Sequence, residues 1–172
     1  MPRIALTGTP GVGKSTLAKA AAAAGWRIVD VKEWAEREGC VAGYDEDDQA
    51  VAVDVDGLAT RVPADDGSRV LYDGHLSHLL PLDGAWVLRC DPDVLRARLQ
   101  ARGYAPGKVQ ENVEAEAIDI ILMEALDAFG PHVRQRDGTT RSPAELLAAF
   151  ASPGVEALKR PDVEDVDWTG RL

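Results

Sequence analysis

The chain has 172 residues, enough for one domain with a sizeable core, and its 45% apolar content excludes wholesale disorder. Its net charge of −10, from 29 acidic against 19 basic residues, argues against nonspecific binding to duplex nucleic acid and leaves a basic protein as the better macromolecular partner. No apolar run approaches the ~20 residues of a membrane span, and Met1-Pro2-Arg3 leads into the first apolar run without a signal-peptide pattern, so a cytoplasmic address with no membrane partner is expected.

Ile4 to Leu6 is a short apolar run of the kind a buried parallel strand uses. It leads into Gly8-Thr9-Pro10-Gly11-Val12-Gly13-Lys14-Ser15, a full match to the phosphate-loop pattern G-x-x-x-x-G-K-[ST]. An alanine-rich run with strong helix propensity follows, Ser15 to Ala24. Strand, glycine loop, helix is the context that motif requires. The glycines let the backbone curl until its N–H groups point inward, and the positive end of the helix completes an anion site. Lys14 then reaches the β- and γ-phosphates of ATP, and the Ser15 hydroxyl ligates Mg²⁺. A plain strand-to-helix turn with an incidental lysine accounts less well for the full pattern with both flanks in place.

Arg27 to Val31 reads as a second strand and Lys32 to Glu38 as a short helix. Gly39 to Asp48 is turn-rich and acidic, with Gly43-Tyr44-Asp45 at its centre; it suits a flap over a ligand or a solvated loop. Ala50 to Val55 alternates apolar and acidic residues, and Gly57 to Val62 has helical character. Arg69 to Asp73 is an apolar run ending in a carboxylate. Phosphate-loop enzymes hold Mg²⁺ with such an aspartate at a strand's C-terminal end, so Asp73 is the candidate. His75 stands two residues further on, either over the transferring phosphate or as an ordinary loop histidine, and His78 is read as a surface or cap residue.

Ala85 to Cys90 is another strand of the buried type. Asp91-Pro92 opens a helix, with Asp as N-cap and Pro in the first turn. Leu95 and Leu99 face the core, while Arg98 and Arg102 lie one turn apart on a neighbouring face. Gly103-Tyr104-Ala105-Pro106-Gly107 breaks that helix. Two arginines leading into such a break form either a short lid that clamps phosphate oxygens or a solvated helix face. Val109 to Phe129 carries the longest helical stripe and is ended by Gly130-Pro131. His132 to Arg136 is a last candidate strand. Ser142-Pro143-Ala144-Glu145 is a capping box that places a helix over Ser142 to Phe150. Past Ser152-Pro153 the chain is acidic and polar, and Trp168 is read as packing this tail onto the body. Cys40 and Cys90 make no metal spacing and are read as small apolar fillers.

Strands alternating with helices behind a phosphate loop imply one α/β domain, a P-loop NTPase with a doubly wound, mostly parallel sheet of about five strands flanked by helices. Thr7 through Ser15, Asp73-Gly74-His75, and Arg102-Gly103-Tyr104 followed by Lys108, Asn112 and Glu116 resemble the adenylate kinase isoenzyme 6 family, the small nuclear adenylate kinase of eukaryotes and its archaeal homologues. The resemblance runs from Ile4 through roughly Leu147. It implies a monomeric nucleoside-monophosphate kinase using ATP and Mg²⁺, with AMP or another NMP as acceptor. A short NMP-binding insertion is expected around residues 30–53, with Val31, Arg37 and Tyr44 as its contacts, and a short lid around residues 101–111. Gly11, Val12, Gly13, Lys14, Ser15 and Thr16 match the family's loop, Arg102 its lid arginine and His75 its Asp-x-His motif. Where related kinases place an arginine for the AMP phosphate, this chain has Glu36 with Arg37 beside it. The resemblance also implies ATPase activity in maturation of the small ribosomal subunit, through a platform ribosomal protein. An ATP-driven assembly factor and a small-metabolite kinase such as a shikimate or gluconate kinase are the alternatives.

Overall fold

The structure is a computed structural model that describes residues 2–45, 50–151 and 158–171. In chain order the strands are β1 (Arg3–Thr7), β2 (Arg27–Asp30), β3 (Val41–Asp45), β4 (Ala50–Val53), β5 (Val70–Asp73), β6 (Gly84–Arg89), β7 (Val133–Asp137) and β8 (Asp162–Val163). The helices are α1 (Lys14–Ala23), α2 (Val31–Glu38), α3 (Val55–Ala59), α4 (Pro92–Ala101), α5 (Pro106–Ala117), α6 (Ile120–Phe129) and α7 (Pro143–Ala151). Ile4, Ala5 and Leu6 are fully buried because β1 runs through the middle of a six-stranded sheet ordered β2-β5-β1-β6-β7-β8, all of whose neighbours are parallel. Every residue of β6 is buried, as a strand covered on both faces requires.

One face of the sheet packs around Trp86, which meets Trp26 edge-on at 5.0 Å and stacks on Phe150 of α7 at 5.1 Å. On the other face Val87 and Val133 lie under Leu122 and Ala125 of α6. A third cluster, around Trp34, Leu58 and Tyr72, anchors α2 and α3 beside the β3–β4 hairpin. Local signals start the helices as the sequence requires. Asp91 caps α4 by accepting from Asp93 N at 2.9 Å, and Ser142 and Glu145 bond reciprocally before α7.

Two readings change. The stripe from Val109 to Phe129 is not one helix: α5 stops at Ala117 and α6 begins at Ile120. Asp119 between them has φ 62°, the one positive φ at a non-glycine among the described residues. The break is held by Arg89, which donates to Glu116 O at 2.7 Å and ion-pairs with Asp119. The sheet has six strands where about five were expected, because the tail supplies β8, which pairs with Arg134 and Gln135. Asp162 there meets Arg134 at 3.0 Å and also pairs with Arg136, which Glu164 approaches at 3.8 Å, so both arginines on buried β7 have carboxylate partners from the tail. Trp168 packs under the Arg89 guanidinium at 5.0 Å, as expected of it.

Candidate active site

β1 ends one residue before the phosphate loop, so the central strand aims the loop at the C-terminal edge of the sheet, where open α/β sheets bind ligands. Gly8 has φ 140°, and a Cβ there would lie 2.3 Å from Leu88 O, so no side chain fits. Gly13, at φ 113°, turns the chain into α1. Lys14 folds back over the loop and donates from Nζ to Gly8 O at 2.7 Å and Thr9 O at 3.1 Å. Burial lowers its pKa to about 8 against the opposing pull of Asp73 and Glu116. Asp73 ends β5 opposite Leu6 of β1. Burial raises its pKa, while Lys14 and a hydrogen bond from Ser15 hold it down. Ser15 and Asp73 therefore present two hard oxygen donors side by side, a set that suits Mg²⁺.

Two clefts flank the loop. The first, about 310 Å³, is lined by Val12, Gly13 and Thr16 together with Arg98, Arg141 and Leu146. The second, about 340 Å³, is lined by Lys14, Ser15 and Asp73 together with Val31, Lys32 and His75. Gly11 and Arg102 line both. The two arginines of α4 and its end thus divide their work. Arg98 donates to Val12 O at 3.2 Å and braces the loop, while Arg102 borders both clefts. The residues expected to form the lid, 101–111, are a short turn after α4 followed by the first turns of α5, with Tyr104 on the second cleft.

The structure brings Val31 to the second cleft, packed against Gly74. Arg37 is exposed near the end of α2 and is not among the lining residues, whereas Lys32 in the first turn is. Tyr44 lies on β3 opposite Val51; residues 46–48 of the expected flap lie outside the described residues. His75 is exposed on the wall of the second cleft. His78 is buried, not at the surface. Its Nε2–H donates to Glu124 at 2.9 Å, its Nδ1 faces the Thr7 hydroxyl at 2.8 Å, and burial lowers its pKa. Cys40 and Cys90 are free and buried, and burial pushes the Cys90 thiol up to about 11.

Sequence reasoning missed Glu116 as a buried partner of the loop, and Arg89, Lys32 and Arg141 altogether. Only the Glu116 match to the family pattern signalled any of them.

A family described as an AAA domain matches residues 4–119. A protein of Archaeoglobus fulgidus named "Putative adenylate kinase" is 42% identical over 98% of this chain and 93% of its own length. One of the same name from Pyrococcus furiosus is 43% identical over 96% of this chain and 91% of its own. This chain belongs to that archaeal family. Matches of this extent take in the phosphate loop, Asp73 and Arg102 alike, so both clefts lie within the shared part of the chain.

Proposed function

We propose that this protein transfers the γ-phosphoryl group of ATP to a nucleoside monophosphate, AMP foremost, to give two nucleoside diphosphates. The observation that carries the reading is the pair of clefts meeting at Gly11 and Arg102 across the phosphate loop. A kinase must align donor and acceptor across one point, whereas a hydrolase requires one nucleotide cleft and a water. The name of the archaeal relatives supports the same acceptor.

With the nucleoside end of ATP in the first cleft and its terminal phosphates reaching past Gly11 to the second, Lys14 and the N-terminal end of α1 would offset the charge of those phosphates. Lys14 has three N–H donors and gives two of them to Gly8 and Thr9, so one remains for phosphate. Mg²⁺ held by Ser15, and by Asp73 directly or through water, would neutralise the β- and γ-oxygens. Arg102 faces the charge that develops between the clefts. The acceptor needs no general base, because a monophosphate is already anionic: its oxygen bonds to the γ-phosphorus, the bond to the bridging β-oxygen breaks, and ADP leaves with the electron pair. A coupled assay with ATP and Mg²⁺ across monophosphates and small hydroxy acids tests this. AMP-dependent ADP formation is expected; turnover of a hydroxy acid but of no monophosphate overturns it.

His75 on the second cleft supports a second activity, hydrolysis of ATP when water occupies the acceptor's place. The net charge of −10 supports a basic protein partner, and the family resemblance points to the small-subunit platform ribosomal protein. Pull-down of that protein with and without ATP tests the pairing, and failure to bind in both states removes it.

A further inference from the structure

We infer that Glu116 is a positioning residue for phosphoryl transfer, its buried carboxylate setting the phosphate loop in register with the helix that carries Arg102; the inference rests on the kinase reading above. Glu116 lies in the last turn of α5 and is 2% exposed. Its carboxylate accepts from three groups on two separate segments, the phosphate loop and the end of β6. Oε2 takes the Thr9 hydroxyl at 2.5 Å, and Oε1 takes Arg89 Nε at 2.8 Å and Cys90 N at 3.0 Å.

The Thr9 bond reaches Lys14. Thr9 is itself 2% exposed, and its carbonyl accepts from Val12 N at 3.3 Å and from Lys14 Nζ at 3.1 Å. Its side chain, held by Glu116, therefore fixes the peptide that Lys14 rests on. The Cys90 bond reaches Arg102. Cys90 directly precedes the Asp91 cap of α4, and α4 carries Arg98 against Val12 O and ends at Arg102. One carboxylate thus ties the loop to the start of α4, and α5 packs back along α4 beyond Arg102.

Arg89 supplies the counter-charge. It is held by Glu116 O and Asp119 and covered by the Trp168 ring. A buried ion pair adds little net stability over an apolar substitute, so its benefit here lies in geometry. Transfer is sensitive to that geometry, since a misplacement of ~1 Å can cost about 10²-fold in rate.

Thr9→Val tests this while leaving the Arg89–Glu116 pair intact, and Thr9→Ser restores the hydroxyl. Steady-state kinetics, run well below the melting temperature of all three proteins, should show kcat reduced about tenfold in Thr9→Val and recovered in Thr9→Ser. Glu116→Gln should lose at least as much, and the double variant no more than Glu116→Gln alone, because both act through one bond. Should Glu116→Gln fail to fold, the Thr9 pair decides. A loss below about threefold in Thr9→Val, or a Thr9→Ser as impaired as Thr9→Val, overturns the inference. Calorimetric titration with ATP separates this outcome from failure of the kinase reading. If the wild type binds ATP yet phosphorylates no monophosphate, the kinase reading falls. Glu116 is then judged on ATP affinity alone: a drop of about fivefold in Thr9→Val that Thr9→Ser reverses supports it, and anything less overturns it.

Discussion

Lys14→Met should make the ligand-free protein more stable while abolishing its chemistry. The magnitude comes from the burial of the ammonium. Its pKa falls from an ordinary 10.5 to about 8, which corresponds to a charging cost of about 3 kcal/mol at neutral pH. Part of Lys14 remains open to the second cleft, so solvent screening trims that figure. Methionine also gives up the bonds to Gly8 O and Thr9 O, at ~1 kcal/mol each, and Thr9 O keeps its bond from Val12 N. The expected net gain is about 1 kcal/mol, or ~3 °C in melting temperature for a domain of this size. The sign follows from linkage. Between pH 8 and 10.5 the folded state binds fewer protons than the unfolded one, so wild-type stability rises with pH across that window and the full cost is present below it. The advantage of Lys14→Met should therefore be largest at pH 7 and gone by pH 10.5. Urea unfolding of both proteins without nucleotide at pH 7, 9 and 10.5 reads it directly. A variant less stable than wild type at pH 7, or a difference that does not shrink with pH, refutes the reasoning. Adding ATP at ~100 times its Kd should stabilise the wild type by about 3 kcal/mol and the variant far less.

Arg102→Ala should lower kcat by about 10²-fold with little change in the KM for ATP, because its charge is needed most in the transition state; an unchanged kcat with a raised KM would make it a ground-state contact. Asp73→Asn should depress transfer and hydrolysis together and raise the Mg²⁺ concentration needed for half-maximal rate. An unaltered Mg²⁺ titration would remove Asp73 from the metal. His75→Ala should cost ATP hydrolysis more than AMP phosphorylation when both are measured on one preparation. Equal losses would assign the histidine to the shared phosphate site, and losses under about twofold would return it to an ordinary loop residue.

The phosphate loop, the inner strands and the capped helices were legible because each is specified by neighbours in sequence: glycines at fixed spacing, apolar runs, an Asp-Pro or Ser-Pro start. Glu116 was legible only as a match to a family pattern. On the helix it looks like Glu111 and Glu114, which are exposed, and only the arrival of β6 and the loop beneath α5 sets it apart. The break at Asp119 was hidden for a related reason. One left-handed residue interrupts the helix without interrupting the apolar pattern, so hydrophobic spacing continues from Val113 to Leu122 across the break. Lys32 was passed over in favour of Arg37 because the resemblance counts positions along a helix, whereas the cleft borders only its first turn. β8 has two residues and no pattern of its own; the buried arginines of β7 specify it.

The distribution of charge links these particulars to the acceptor. A protein of net charge −10 repels nucleotides over most of its surface, yet its clefts are cationic. The first is lined by Arg98, Arg102 and Arg141 with no carboxylate among its described lining residues. The second sets Lys14, Lys32 and Arg102 against Asp30 and Asp73. Fields are focused in such clefts, so anions are drawn from an otherwise repulsive surface to the two places where phosphate is handled. In the second cleft the cations outnumber the anions even before a divalent metal joins Asp73. A neutral hydroxyl acceptor would add no counter-charge for Lys32 beyond Asp30 and Asp73, whereas a monophosphate supplies one. That balance supports the proposed acceptor, one that brings its own negative charge to the second cleft.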